Sequence, residues 1–191
     1  MNEQIIQVQL STVLPMPILA GAKGGEAAFL LLRAAIPALS PGQLVVVDFS
    51  QMQICTASAI RELLVPMWKW LRESGCVGIV GNVDEVTLDE IRLVADTSKQ
   101  PFICARLLKN NLKDPIVYGQ LEEKMALTLR LVLDSGEADA KAVHQLARDN
   151  TQVTVWNNRL AALEDLGLLA RRKVSKTKFY FPILKGMTYG H

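Results

Sequence analysis

Apolar positions along this chain follow two regimes. Up to about residue 105, short apolar runs alternate with stretches whose apolar residues recur every three or four positions. Ile5–Leu10 and Val13–Leu19 are rich in strand formers and joined by Ser11 and Thr12, the pattern of an opening hairpin. Pro15 and Pro17 push the second of these runs to a sheet edge, because proline has no N–H for a ladder. Leu44–Phe49 (LVVVDF) and Cys76–Val80 are continuous apolar runs, as expected of strands covered on both faces, and Phe102–Ala105 closes the series. Gly24–Leu39, Thr56–Glu73 and Glu85–Ala95 carry the helical period between them, punctuated by Ser40-Pro41-Gly42 and Ser74-Gly75. Strands separated by single helices predict an α/β sheet covered by helices.

From Leu121 onward the period is helical. Leu121–Ser135 has Met125, Leu129, Val132 and Leu133 on one face and stops at Gly136. Asp139–Arg148 follows with Ala142, Val143 and Leu146 inward, then a turn at Asp149-Asn150. Asn150 or Thr151 is placed to cap a third helix that runs to Leu166 and ends at Gly167. Lys109–Gln120 (KNNLKDPIVYGQ) has no clear period and contains Asn-Asn, Asp-Pro and Gly, so it reads as a linker. The expected organisation is an α/β domain over 1–108, a linker over 109–120 and a helical domain with a terminal hairpin over 121–185.

Composition narrows the classes. Half of the residues are hydrophobic, which implies packed cores rather than disorder. The longest apolar runs are far below the roughly 20 residues a membrane-spanning helix requires, and MNEQIIQVQL lacks the basic start of a signal peptide. Cys55, Cys76 and Cys104 are odd in number and scattered, and His144 and His191 are the only histidines. That pattern offers neither a disulfide framework nor a metal site, and it fits buried reduced thiols in a cytoplasmic protein. Residues 1–120 carry 10 Lys/Arg against 11 Asp/Glu, a net −1, whereas residues 121–191 carry 11 against 8, a net +3. The small positive surplus sits in the helical half.

The third helix holds the candidate chemistry. Trp156, Leu160 and Leu163 fall at i, i+4 and i+7 and form its inward stripe. Thr151, Gln152, Thr154, Val155, Asn157, Asn158 and Arg159 therefore lie on or beside the outward face. Asn and Gln pair bidentately with adenine, and Arg pairs with guanine or clamps phosphate. Arg171, Arg172, Lys173, Lys176 and Lys178 follow, and Val174 and Phe179–Phe181 supply strand propensity around Ser175-Lys176-Thr177. A two-stranded hairpin with a basic tip results, suited to neutralising phosphates without reading sequence. No nucleophile–base pair or other enzyme constellation stands out. Gly21–Gly25 lacks both the nucleotide-binding P-loop spacing and the dinucleotide fingerprint and reads as a flexible turn.

The segment VTVWNNRLAALEDLGLLARR resembles the recognition helix and exit of bacterial winged helix-turn-helix regulators. Asn158, Arg159, Leu160, Leu163, Glu164, Gly167 and Leu168 match their Asn-Arg-Leu-x-x-Leu-Glu-x-x-Gly-Leu pattern. Trp156 stands where that family often has a small apolar residue. A second resemblance covers Val45–Leu64, which is similar to the strand-loop-helix of STAS-type domains, the anti-sigma-factor-antagonist fold. Asp48, Phe49 and Ser50 fit its strand end, and Thr56, Ala57, Ser58 and Ala59 occupy the place of its Asp-Ser-Ser-Gly motif. Ala57 replaces the serine that a partner kinase phosphorylates in that family. Thr56 and Ser58 are the remaining candidate phosphorylation sites, beside their simpler role of capping the helix.

Together these readings predict a cytoplasmic, non-enzymatic regulator without cofactor or metal. It would bind double-stranded DNA through a C-terminal winged helix. An N-terminal STAS-like α/β domain would mediate homodimerisation, regulatory-protein binding or signal sensing. The alternative is an anti-sigma-antagonist-like protein–protein module that does not bind DNA. Pro66, Met67, Trp68 and Trp70 are candidates for a dimer surface. Residues two apart on a helix diverge by about 200°, so both tryptophans cannot face one core.

Overall fold

The computed structural model describes Ile5–Lys109 and Asn111–Gly190. Met1–Gln4, Asn110 and His191 lie outside the described residues, and with them the start of the segment read for a leader, one residue of the expected linker and one of the two histidines. The chain is mixed α/β and forms two compact units. One comprises Met1–Lys113 with Tyr118–Gln120, the other Asp114–Val117 with Leu121–His191.

In the first unit, β1 (Ile5–Gln9), β3 (Leu44–Asp48), β5 (Val77–Gly81) and β6 (Phe102–Leu108) lie side by side in that order, all parallel. Parallel neighbours need crossovers, which are α2 (Gly21–Ala35), α3 (Ala57–Glu73) and α4 (Glu85–Ser98). All five residues of β3 are buried, so both of its faces are covered, as its unbroken apolar run predicts. Asp84 caps α4, its carboxylate accepting the Thr87 N–H at 2.7 Å. The three thiols are buried and unpaired. Burial pushes Cys55 up to about 11 and Cys104 up to about 12, so both are held as neutral thiols.

α2 and α3 pack backbone to backbone. A Cβ at Gly25 would lie 2.2 Å from the Ala59 carbonyl oxygen, so this position admits only glycine. The expected flexible turn at Gly21–Gly25 is instead the first part of α2.

The opening hairpin does not form. Leu10–Val13 is a single helical turn, α1, and β2 (Ile18–Leu19) pairs in parallel with β4 (Ile54–Cys55). The physical reason lies in the prolines: Pro15 and Pro17 remove donors from the second run. The Pro17 and Leu19 carbonyls then accept from Gln53 and Thr56 N–H groups.

The expected linker is also replaced, by strand β7 (Asn111–Tyr118). Asp114 adopts a left-handed conformation (φ 48°) before Pro115, a break that hid the short apolar run Ile116–Tyr118. The division between the units falls within this strand.

Met67 and Trp68 are core residues, at 0% and 4% exposure, rather than an exposed dimer surface. Trp68 lies over Gly78, where a Cβ would meet its ring at 2.6 Å, and meets Phe102 edge-on at 5.4 Å. The tryptophan that diverges from this core is Trp70, half-buried with the Arg33 guanidinium 5.5 Å from its ring centre. Among the described residues no helix is long and apolar enough to cross a membrane.

Candidate nucleic-acid interface

The second unit contains α5 (Glu123–Ser135), α6 (Ala140–Ala147), α7 (Val153–Asp165) and an antiparallel hairpin of β8 (Leu169–Val174) and β9 (Thr177–Pro182). Short β10 (Thr188–Tyr189) pairs with Ile116 and Val117. Ala138, between α5 and α6, bridges Tyr180 through reciprocal 2.9 Å hydrogen bonds and ties the helices to the hairpin.

Local chemistry sets the helix ends. Asp139 caps α6 by accepting the Ala142 N–H at 2.8 Å. α6 ends at Arg148 in the left-handed region (φ 51°), and a four-residue turn, Asp149–Gln152, leads to α7. Neither Asn150 nor Thr151 caps α7; its cap is Gln152, which makes no side-chain bond. Thr151 instead donates both its N–H and its hydroxyl to Asp149, each at 2.9 Å. The N–H bond leads in holding the Asp149 carboxyl below the usual carboxylate range, with smaller help from the Thr151 hydroxyl and the Arg159 guanidinium. At its far end α7 stops in a Schellman arrangement. Gly167 (φ 75°) donates to the Glu164 carbonyl at 2.8 Å and Leu168 to the Leu163 carbonyl at 3.0 Å.

Trp156, Leu160 and Leu163 are fully buried, which fixes the outward side of α7. Gln152, Thr154, Val155 and Asn158 are exposed, and Thr151, Asn157 and Arg159 are half-buried on the flanks. Among the described residues, Gln152, Thr154, Asn157 and Asn158 side chains have no protein partner. Arg159 is not a free arm: its guanidinium lies 4.6 Å from the centre of the Trp156 ring. Leu146, expected inward, is 50% exposed, so the inward face of α6 rests mainly on Val143.

The five basic hairpin residues divide into two sets. Arg172 donates a fork to Glu137, Nε to Oε1 at 2.5 Å and Nη2 to Oε2 at 2.7 Å, and stacks on Phe179 at 5.3 Å. Those bonds hold the Glu137 carboxyl below the usual glutamate range. Arg171 pairs with Glu164 of α7 at 3.2 Å. These two arginines therefore brace the hairpin root. Lys173, Lys176 and Lys178 are exposed and have no acidic partner among the described residues. Lys173 and Lys178 stand directly opposite each other across the ladder, a like-charge pairing that destabilises a hairpin. Lys176 sits in the two-residue turn with Ser175 (φ 55°).

In the first unit, Thr56 and Ser58 lie at the start of α3, half-buried, their hydroxyl oxygens 3.2 Å apart. Thr56 Oγ1 accepts the Gly21 N–H at 3.1 Å rather than capping its own helix. The free N–H of Ala57 is taken by Glu90 Oε2 at 2.7 Å. A carboxylate thus already stands where a phosphate would meet the helix dipole. Sequence reasoning missed Glu137, and it takes Glu90, with Asp84, Glu85 and Asp89, as a structural acid at the start of its own helix rather than as a partner of α3. Both act across long sequence separations, and neither carries a local signal.

No protein-family model matches this chain, and no curated protein matches it in sequence.

Proposed function

We propose that this protein is a non-catalytic, DNA-binding transcriptional regulator of the cell interior. In this reading residues 121–185 form a winged helix-turn-helix. α6 and α7 supply the helix-turn-helix, α7 enters the major groove, and the hairpin lies along the phosphate backbone. The observation that carries it is the opposed pair Lys173 and Lys178 with Lys176 at the tip. Three unpaired cations are gathered where they weaken the fold, and a polyanion offsets that repulsion. The STAS-like α/β domain is then the part that self-associates, binds a regulatory protein or receives a signal. A homodimer follows from the need to read two half-sites.

The test is a salt titration of the intact protein on random duplex DNA, with light scattering to read how many chains bind. Replacing Lys173, Lys176 and Lys178 together by Ala should reduce the slope of log affinity against log salt by about 0.9 for each phosphate no longer neutralised. Absence of salt-dependent binding by the unaltered protein would overturn the reading and favour a protein-docking module. A complex containing one chain would remove the dimer.

A further inference from the structure

The outward face of α7 has a composition that discriminates between base pairs. We infer, on the basis of the DNA-binding reading above, that α7 reads an A·T-rich half-site. Asn158 takes an adenine edge, and the methyl groups of Thr154, Val155 and Ala161 lie against thymine.

Thr154, Asn158, Ala161 and Asp165 form one stripe at helical spacing, opposite the buried Trp156–Leu160–Leu163 side. Guanine offers two major-groove acceptors, and the side chains that match them are Arg and Lys. The stripe has neither. Arg159, the one cation within α7, sits on a flank, stacked on Trp156 at 4.6 Å and drawn by the Asp149 carboxylate. Arg171 is held by Glu164 at 3.2 Å and Arg172 by its fork to Glu137. The free lysines belong to the hairpin and not to α7. An exposed amide remains, whose donor and acceptor match adenine N7 and N6, beside short apolar groups that match the thymine methyl. Asp165, exposed at the far end of the stripe, repels phosphate and confines the contact to the first turns of α7.

The experiment is selection of bound sequences from a random duplex pool, using the full chain and the variants Asn158→Ala and Arg159→Met. The methionine keeps an apolar stem over Trp156 while removing the guanidinium, and a thermal melt of each variant checks the fold. The expected result is a half-site dominated by A·T pairs. Arg159→Met should leave it unchanged, and Asn158→Ala should lower the preference for one adenine by roughly 5- to 150-fold. Enriched guanines whose preference disappears with Arg159→Met would overturn the inference. Salt-dependent binding without any enrichment would also overturn it and leave the DNA-binding reading standing. No binding to any duplex would remove both.

Discussion

At the strand ends of the α/β unit, every polar side chain around Asp48 is partnered. The buried carboxylate accepts from Gln7 Nε2 at 2.6 Å, Ser50 N at 2.8 Å and Asn82 Nδ2 at 3.0 Å. Asn82 Oδ1 in turn accepts the Leu107 N–H at 2.8 Å. Four strands, β1, β3, β5 and β6, are cross-linked by this one network. On α7 and the hairpin tip the opposite holds: Thr154, Asn158 and three lysines face outward with no protein partner among the described residues. The large majority of buried polar groups in folded proteins are satisfied. The first set is therefore explained by the fold, whereas the second set contributes little to it. That difference, more than residue type, separates architecture from a surface available to a ligand.

The sharpest test removes one member of each set. Asp48→Ala leaves two side-chain amides and a backbone N–H without their acceptor, and should destabilise the protein by about 3 kcal/mol or more. Asn158→Ala should change stability by less than about 0.5 kcal/mol. Urea denaturation monitored by circular dichroism reads both. Equal destabilisation by the two variants would erase the contrast.

A smaller effect should run in the opposite direction. Lys173→Glu places an acid opposite Lys178 and should stabilise the isolated protein by about 0.2–1 kcal/mol. It should also weaken binding to duplex DNA, read by fluorescence anisotropy. A variant that is less stable would mean that the lysine pair is not a source of strain.

The smallest effect concerns the hairpin root. Glu137 has a depressed carboxyl in the folded protein, so its support is present above the ordinary glutamate range and is lost as pH falls through its lowered value. Protection factors of the hairpin amides, corrected for the intrinsic slowing of exchange in acid, should fall selectively on acidification below that range, and Glu137→Gln should remove that fall. Unchanged protection would place the hairpin's stability elsewhere.

What could be read from the sequence follows the range of the interactions. The helices were legible because Trp156, Leu160 and Leu163, or Met125 to Val132, carry their period within a few turns. The central strand was legible because Leu44–Val47 is apolar throughout. Asp48 was noticeable at a strand end, but its partners Gln7 and Asn82 lie 41 and 34 positions away and meet it only once strand order is set. The same holds for Glu137, brought to Arg172 across 35 positions. β7 was missed because Asp114 and Pro115 interrupt its pattern. The hairpin cations were legible as charges. Their division into braced arginines and free lysines was not, because it depends on which acids the fold delivers.

Where Gly25 meets Ala59, no layer of side chains separates the two helices. Side chains between helices ordinarily act as a compliant gasket, changing rotamer to let one rod slip past another. Without that cushion the crossing has no slack: Gly25 acts as a latch, and sliding α2 along α3 there would drive backbone into backbone.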